Sequence, residues 1–278
     1  MTAPDPGRRR FLGGLAALLS VAAVAGLARI WSGTDAAPPT TTRAGRAAGA
    51  SAGGTTTTRA VIRGRTTTTS TSPPTTTQLP AVAVTVSALC REAWGELPVA
   101  GEFRTHTIER LTVHHTAALL ETNAQAPARL RQHQRYHIDL GWPDIAYHFV
   151  VDANGHVYEG RPVDAVGDTG TDYDPTGHFL VCAEGNFDEQ EITAPQLEAV
   201  TNVLAWAAAT FDVHPATIRG HRDWASTSCP GDRFYPTIES GDLMAAVEGR
   251  LRAGGAALTV VCGAEAAQTV ADIEAGST

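Results

Sequence analysis

The sequence predicts an α/β fold, a single domain in which helices flank a central mixed β-sheet. Short apolar segments with strand character alternate with longer segments of helical periodicity between Leu111 and Ala253. The dipeptide Asn154-Gly155 is a strong two-residue hairpin signal, and a hairpin requires an antiparallel pair. Parallel strands joined by helices and one antiparallel hairpin together make a mixed sheet.

The strands are predicted from short runs rich in β-branched, aromatic and other apolar residues. The hairpin signal separates the second of these runs from the third. The fifth run leads directly into His221. The predicted strands are Leu111–His115, Ala146–Val151, His156–Glu159, Phe179–Ala183 and Thr217–Gly220.

Three helices are predicted between and after these strands, over Ala126–Asp139, from Thr193 to about Phe211, and over Gly241–Ala253. The second helix has a clear start, because Thr193 suits the N-cap and Gln196 stands at the capping-box position. Its apolar residues recur at helical spacing and predict a core-facing side. These residues are Leu197, Val200, Leu204 and Ala208.

The N-terminal segment, residues 1–31, has the pattern of an export signal or membrane anchor. Arg8-Arg9-Arg10-Phe11-Leu12 precedes an apolar run that reaches Trp31, and the twin arginine resembles the signal for twin-arginine translocation. An ordinary secretory signal and an uncleaved anchor are the alternatives. The apolar run of about 20 residues would be roughly 30 Å long as a helix, enough to contact or span a bilayer.

Composition divides the rest of the chain. Residues 32–88 are rich in Thr, Pro and Ala and predict a disordered linker, with order beginning near Val82–Cys90. We predict the folded domain over residues 89–262 and a C-terminal tail over residues 263–278. Residues 1–80 carry a net charge of +7 and residues 81–278 one of −15. An acidic domain without a basic stripe argues against nucleic-acid binding. We expect a monomer.

The loop from His221 to Cys229 is the first candidate site. An imidazole and a thiolate suit zinc better than magnesium or calcium, and His114 can supply a third ligand. Adjacent residues of a strand point to opposite faces, so only one of His114 and His115 faces the site easily. Alternatively, Cys229 forms a disulfide or acts as a nucleophile with His221 as its base.

A rival histidine pair lies on the first predicted helix. His133 and His137 have the i, i+4 spacing of metal ligands, but no glutamate follows His133. The neighbouring arginines favour a solvated helix face instead.

Four blocks of sequence point to a known family in combination. They are Val113-His114-His115-Thr116-Ala117, Gly141-Trp142-Pro143-Asp144-Ile145-Ala146-Tyr147-His148-Phe149, Asn154-Gly155-His156-Val157-Tyr158-Glu159-Gly160-Arg161, and Gly220-His221-Arg222-Asp223 through Thr227-Ser228-Cys229-Pro230-Gly231. In this order they resemble the peptidoglycan recognition protein / type 2 N-acetylmuramoyl-L-alanine amidase family, which includes the T7 lysozyme type. Cys90-Arg91-Glu92-Ala93-Trp94-Gly95 resembles the opening of its longer members.

The resemblance implies a Zn²⁺ site at one end of the sheet, held by His114, His221 and Cys229. It implies that Tyr147 and Thr227 assist catalysis. The implied reaction is hydrolysis of the amide bond between N-acetylmuramic acid and L-alanine, with peptidoglycan as the partner. Members that only recognise peptidoglycan typically lack the zinc cysteine, so the retained thiol favours hydrolysis over a non-catalytic binding module.

Several assignments stay open beside this resemblance. Glu184 is a candidate general base, although an acid in this position is commonly a loop or groove residue, and His148 either orients a ligand or is a core histidine. With Cys229 on zinc and Cys182 in an apolar run, Cys90 and Cys262 remain as a candidate disulfide, which export permits.

Overall fold

The computed structural model describes residues 83–278. The predicted export signal and nearly all of the predicted linker therefore lie outside the described residues. Within residues 83–278, none of the helices has the length and apolar character needed to cross a membrane.

A seven-stranded sheet forms the centre of the described chain, in the order β6-β2-β5-β3-β4-β1-β7. Neighbouring strands are parallel except for the antiparallel pair β3 and β4, so the predicted mixed sheet is confirmed. The strands are β1 Val84–Leu89, β2 Arg110–His115, β3 Phe149–Val151, β4 Val157–Glu159, β5 His178–Ala183, β6 Arg219–Gly220 and β7 Ala256–Val261.

Within residues 83–278, six α-helices accompany the sheet: α1 Arg91–Trp94, α2 Ala126–Asp139, α3 Ala194–Thr210, α4 Tyr235–Glu239, α5 Asp242–Arg252 and α6 Gly263–Glu274. The central strand β5 separates two apolar cores, because its side chains alternate between the faces of the sheet. Phe179 and Val181 pack in the larger core with α3 and α5. Cys182 packs in the smaller core with residues of α2 and α6.

The two longest helices begin and end close to their predicted limits. Helix α2 has the predicted bounds, and the hydroxyl of Thr193 accepts a hydrogen bond from the backbone N–H of Gln196 at 3.2 Å, which caps α3. The Gln196 side chain does not complete a capping box. It donates to the backbone carbonyls of Val151 and Glu184, at 2.9 and 3.0 Å, and so anchors α3 to the sheet.

The predicted domain limits were too narrow at both ends. Strand β1 begins at Val84, inside the predicted linker, and helix α6 occupies most of the predicted C-terminal tail. Strand β7 pairs with β1 along its whole length, and α6 buries Val270 and Ile273 in the smaller core. This long-range packing fixes the C-terminal segment on the domain, and its alanine content and the helical spacing of its buried residues favour the helix locally.

A disulfide joins Cys90 to Cys262, as predicted. Leu89 is in register with Val261 on neighbouring parallel strands, so the two cysteines that follow lie side by side with Cα atoms 5.3 Å apart. The bridge therefore ties the edge strand β7 and helix α6 to the start of the domain.

Removing this bridge should lower stability. Because it closes a segment with a sequence separation of 172 residues, Cys90→Ser/Cys262→Ser should lower the free energy of unfolding by about 2–5 kcal/mol. Urea unfolding of the double variant and the wild type measures the difference. Equal stability of the two proteins would contradict the prediction.

Candidate metal centre

Neighbouring strand ends bring the two histidines together. Val113 of β2 is in register with Gly220 of β6, and each is followed directly by a histidine of the predicted set, His114 and His221. The chain after His221 folds back on itself, because the backbone N–H of Arg222 donates to the carbonyl of Cys229 at 2.9 Å. This fold-back places the Cys229 thiol next to the imidazoles of His114 and His221.

One ligand atom from each of His114, His221 and Cys229 lies within 4.8 Å of the others. The two imidazole centroids are 4.7 Å apart, and Cys229 Sγ lies 3.7 Å from His114 Nδ1. All three side chains are buried. Two imidazoles and one thiol are a donor set of the kind found in catalytic zinc sites, which use three protein ligands. The residues therefore fit a zinc ion.

The protonation states of these three side chains also suit a bound cation. Burial lowers the pKa of His221 to about 4, and burial, with the neighbouring His221 as a smaller cause, lowers the pKa of His114 well below 6.5. Both imidazoles are therefore neutral near pH 7, which is the form that binds metals. Burial raises the pKa of the Cys229 thiol to about 12, so a bound cation would be needed to stabilise its thiolate.

His115 faces away from this cluster. Its Nδ1 accepts a hydrogen bond from the backbone N–H of Phe187 at 3.2 Å, and its ring stacks on Phe187 at a centroid distance of 6.0 Å. The two adjacent histidines therefore point to opposite faces of the strand, as expected, with His114 in the metal cluster and His115 in a structural role.

Tyr147 lies beside the cluster, with its ring centroid 5.4 Å from that of His114. It precedes β3, which is shorter than predicted and begins only at Phe149. The preceding backbone is shaped by the buried Arg161 guanidinium, whose Nε donates to the carbonyl of Ile145 at 2.8 Å. Gly160 permits the close approach of this segment, because a Cβ there would clash with the carbonyl oxygen of Tyr147 and lie 3.2 Å from that of His148.

The Tyr147 phenol remains protonated at neutral pH. Desolvation, followed by the neighbouring Cys182 and Cys229 thiols, raises its pKa well above 10.0. A neutral phenol can donate a hydrogen bond to an oxygen that gains negative charge.

The second predicted catalytic residue, Thr227, belongs to the loop that carries the thiol. Its hydroxyl oxygen accepts a hydrogen bond from the backbone N–H of Cys229 at 3.2 Å. This bond uses a lone pair of the oxygen and leaves the O–H able to donate. Because Thr227 stands two residues before Cys229, this hydrogen bond fixes the position of its hydroxyl relative to the thiol.

The solvated face predicted from the neighbouring arginines does not include His133 and His137. His137 is buried, and its Nδ1 accepts a hydrogen bond from the backbone N–H of Ala146 at 3.1 Å. His133 Nε2 lies 3.0 Å from the fully buried carboxylate of Glu184. The pair therefore holds α2 against the sheet and does not join the metal cluster. Glu184 is a buried partner of His133 and not an open loop residue.

His148 is a core histidine. Its side chain is fully buried, its Nε2 bonds the carbonyl of Ala165 at 2.9 Å, and its Nδ1 accepts from the backbone N–H of Leu180 at 2.9 Å. These bonds tie the segment before β5 to the strand. Of the two roles considered from sequence, the structural one fits these contacts.

Neutral burial of His148 should make stability fall in acid. Burial lowers its pKa to about 3 from an unfolded value of 6.5, so its contribution is complete above pH 6.5 and is lost as the pH falls towards 3. Between pH 8 and 5 the free energy of unfolding should lose about 2 kcal/mol through this residue.

Urea unfolding of the metal-free protein at the two pH values measures that loss. His148→Asn should lower stability at pH 8 and reduce the pH dependence by this amount. His214→Asn, at an exposed position, is the matched control and should leave the pH dependence unchanged. Equal pH dependence of wild type and His148→Asn would contradict the assignment.

Sequence reasoning missed three residues around His221. Thr171 Oγ1 lies 2.9 Å and Thr169 Oγ1 3.3 Å from His221 Nε2. The ring of Tyr173 packs 5.1 Å from the His221 ring. These residues lie in a loop about 50 residues before His221 in the sequence. No short sequence motif connects the loop to the metal ligands, so sequence reasoning could not identify them.

Comparison with protein-family models matches residues 104–232 to the model described as N-acetylmuramoyl-L-alanine amidase. Mouse peptidoglycan recognition protein 1 is 34% identical over 155 residues, which are 54% of this chain and 85% of the mouse protein. A pig protein named N-acetylmuramoyl-L-alanine amidase is 34% identical over 159 residues, which are 54% of this chain but 26% of the pig protein.

Solved structures show the same similarity. Drosophila peptidoglycan recognition protein SD aligns with a TM-score of 0.52 and 25% identity, covering 55% of this chain and 94% of its own. Peptidoglycan recognition protein LE, solved with tracheal cytotoxin, a monomeric diaminopimelic acid-type peptidoglycan, aligns with a TM-score of 0.51 and 28% identity. That alignment covers 55% of this chain and 92% of the other.

Proposed function

Because the chain belongs to the family of peptidoglycan recognition proteins and N-acetylmuramoyl-L-alanine amidases, we propose that it is a zinc-dependent amidase of peptidoglycan. Its substrate would be the amide bond between N-acetylmuramic acid and L-alanine. The family contains both amidases and recognition proteins, so family membership alone does not choose between them. The observation that carries the proposal is the close grouping of the Cys229 thiol with His114 and His221.

His114, His221 and Cys229 would hold the zinc ion. A zinc ion bound by three protein ligands polarises a carbonyl and lowers the pKa of a water molecule at its open position. Burial keeps both imidazoles neutral and ready to bind, and it disfavours a free thiolate. The three donors are therefore suited to a cation.

Tyr147 and Thr227 would stabilise the negative charge that develops on the substrate carbonyl oxygen during attack by water. The raised pKa of Tyr147 keeps its proton in place for donation. Thr227 can donate its hydroxyl proton while its oxygen accepts from the Cys229 backbone. Donors fixed before the reaction lower the barrier because they need little reorganisation when the charge appears.

A non-catalytic binding module is the main alternative. The complete donor set argues for hydrolysis, since recognition alone does not require a thiol beside two buried histidines. A cysteine hydrolase has less support, because burial raises the pKa of the Cys229 thiol to about 12. A nucleophilic cysteine needs a lowered pKa.

We propose that the enzyme works as a monomer outside the cytoplasm. Arg8-Arg9-Arg10-Phe11-Leu12 and the following apolar run support export by the twin-arginine route or retention at the membrane. The Thr- and Pro-rich residues that follow would tether the domain within reach of the wall. The Cys90–Cys262 disulfide suits an oxidising compartment.

Incubation with purified muropeptides tests the proposal, with mass spectrometry as the readout. We expect free peptides that begin with L-alanine, loss of the reaction after chelation, and its return with added zinc. Intact muropeptide retained without any mass change would favour the recognition module. Product formation that resists chelators and is blocked by thiol alkylation would favour the cysteine hydrolase.

A further inference from the structure

The loop of residues 168–173 surrounds one nitrogen of the metal cluster with hydroxyl groups. His221 Nε2 lies 2.9 Å from Thr171 Oγ1 and 3.3 Å from Thr169 Oγ1. The two hydroxyl oxygens are 2.7 Å apart, and the backbone N–H of Thr171 donates to Thr169 Oγ1 at 3.2 Å. These contacts form a short hydrogen-bonded chain that ends on the imidazole.

This arrangement gives the two ring nitrogens of His221 different roles. Nε2 is engaged by the threonine hydroxyls, which leaves Nδ1 as the nitrogen available to an ion. A neutral imidazole carries a single proton, so a lone pair at Nδ1 requires the proton at Nε2. Nε2–H can then donate to Thr171 Oγ1, and the Thr171 O–H can donate to Thr169 Oγ1.

The base of the loop is held firmly enough to place these hydroxyls. The buried guanidinium of Arg161 forms an ion pair with Asp168 at 2.6 Å and donates to the carbonyl of Val166 at 2.6 Å. Gly167 lies where a side chain would not fit, because a Cβ there would come within 2.8 Å of the carbonyl oxygen of Ala146. The loop therefore leaves the core in a fixed direction just before Thr169.

His114 has no comparable support within the described chain, since its buried Nε2 has no hydrogen-bond partner there. We propose that Thr171, assisted by Thr169, is a positioning residue that sets the tautomer and orientation of His221 and thereby tightens zinc binding. The inference rests on the zinc site of the proposed function. Removing a group that orients a metal-binding histidine typically weakens metal affinity about 10- to 100-fold.

The test measures the zinc affinity of the full chain by competition with a chromophoric chelator. Thr171→Val keeps the branched shape and removes the hydroxyl, and Thr171→Ser keeps the hydroxyl. The matched control is Thr176→Val in the same connecting segment, where the hydroxyl donates to the exposed Asp174 and not to His221. Thermal unfolding of each metal-free variant reports whether the fold is intact.

We expect Thr171→Val to bind zinc about 10- to 100-fold more weakly, with Thr171→Ser and Thr176→Val close to wild type. Thr169→Val/Thr171→Val should bind at least as weakly as Thr171→Val. Wild-type affinity in that double variant, or an equal loss in Thr176→Val, would overturn the positioning role while leaving the zinc site intact. A wild-type protein that binds no zinc would instead overturn the proposed function.

Discussion

Cys229→Ser should abolish amide hydrolysis while leaving the fold intact. A serine hydroxyl has nearly the shape of the thiol but is a poor zinc ligand at neutral pH, so the three-donor cluster would become a two-histidine pair. Removing one hydrogen-bond donor lowers the rate roughly 10²- to 10³-fold. Cys229→Ser should lower it further, because loss of the thiol should cost the protein its zinc ion. Muropeptide turnover and zinc content of the purified variant measure the two effects.

Cys182→Ala is the control for zinc content and not for rate, because the Cys182 thiol neighbours the Tyr147 phenol. Cys182 is the other free cysteine of the described chain and is fully buried, but it is not a member of the metal cluster. The control should retain one zinc per chain. Cys229→Ser should still bind intact muropeptide, so that the proposed amidase would become a binding protein. Full activity in Cys229→Ser would contradict the assignment of the thiol to zinc.

Tyr147→Phe should lower the rate of hydrolysis by about 10²- to 10³-fold with zinc still bound. The phenol lies beside His114, with the ring centroids 5.4 Å apart, and its proton is retained at neutral pH because desolvation raises its pKa. Phenylalanine keeps the packing and removes only the donor. Because the donor acts on charge that develops during the reaction, kcat should fall far more than substrate affinity.

Tyr136→Phe provides the comparison, because Tyr136 is 55% exposed on α2 and removal of its hydroxyl should leave kcat unchanged. Zinc content must be measured for both variants to separate loss of the donor from loss of the ion. A Tyr147→Phe enzyme with wild-type kcat would remove Tyr147 from the mechanism and leave Thr227 as the remaining proposed donor.

Local sequence patterns predicted the limits of those helices whose own residues specify where they begin and end. Helix α2 has its predicted bounds, and α3 begins after the predicted Thr193 cap, because helical periodicity and capping are local signals. Strand alternation separated His114 from His115 for the same reason. The capping box at Gln196 failed because the glutamine side chain bonds the carbonyls of Val151 and Glu184 across the sheet.

The surfaces on which the terminal elements pack could not be predicted in this way. Strand β7 is an edge strand with several exposed residues, and it is ordered by pairing with β1 far along the chain. Helix α6 is held by burial of Val270 and Ile273 in the smaller core. Its alanine-rich sequence favours a helix locally, but an isolated helix of 12 residues is only marginally stable in water, so its stable helical state depends on the surface it covers.

The sequence by itself determined the mixed α/β fold, the motif order, and the residue types able to hold a metal, because each of these is set by periodicity or by side-chain chemistry. The tertiary structure decided which of the ten histidines meet a thiol, which pair with acids, and which are packed in the core. It also placed Thr169 and Thr171 on His221. These outcomes depend on distances between segments far apart in the chain, which are set by strand register and packing.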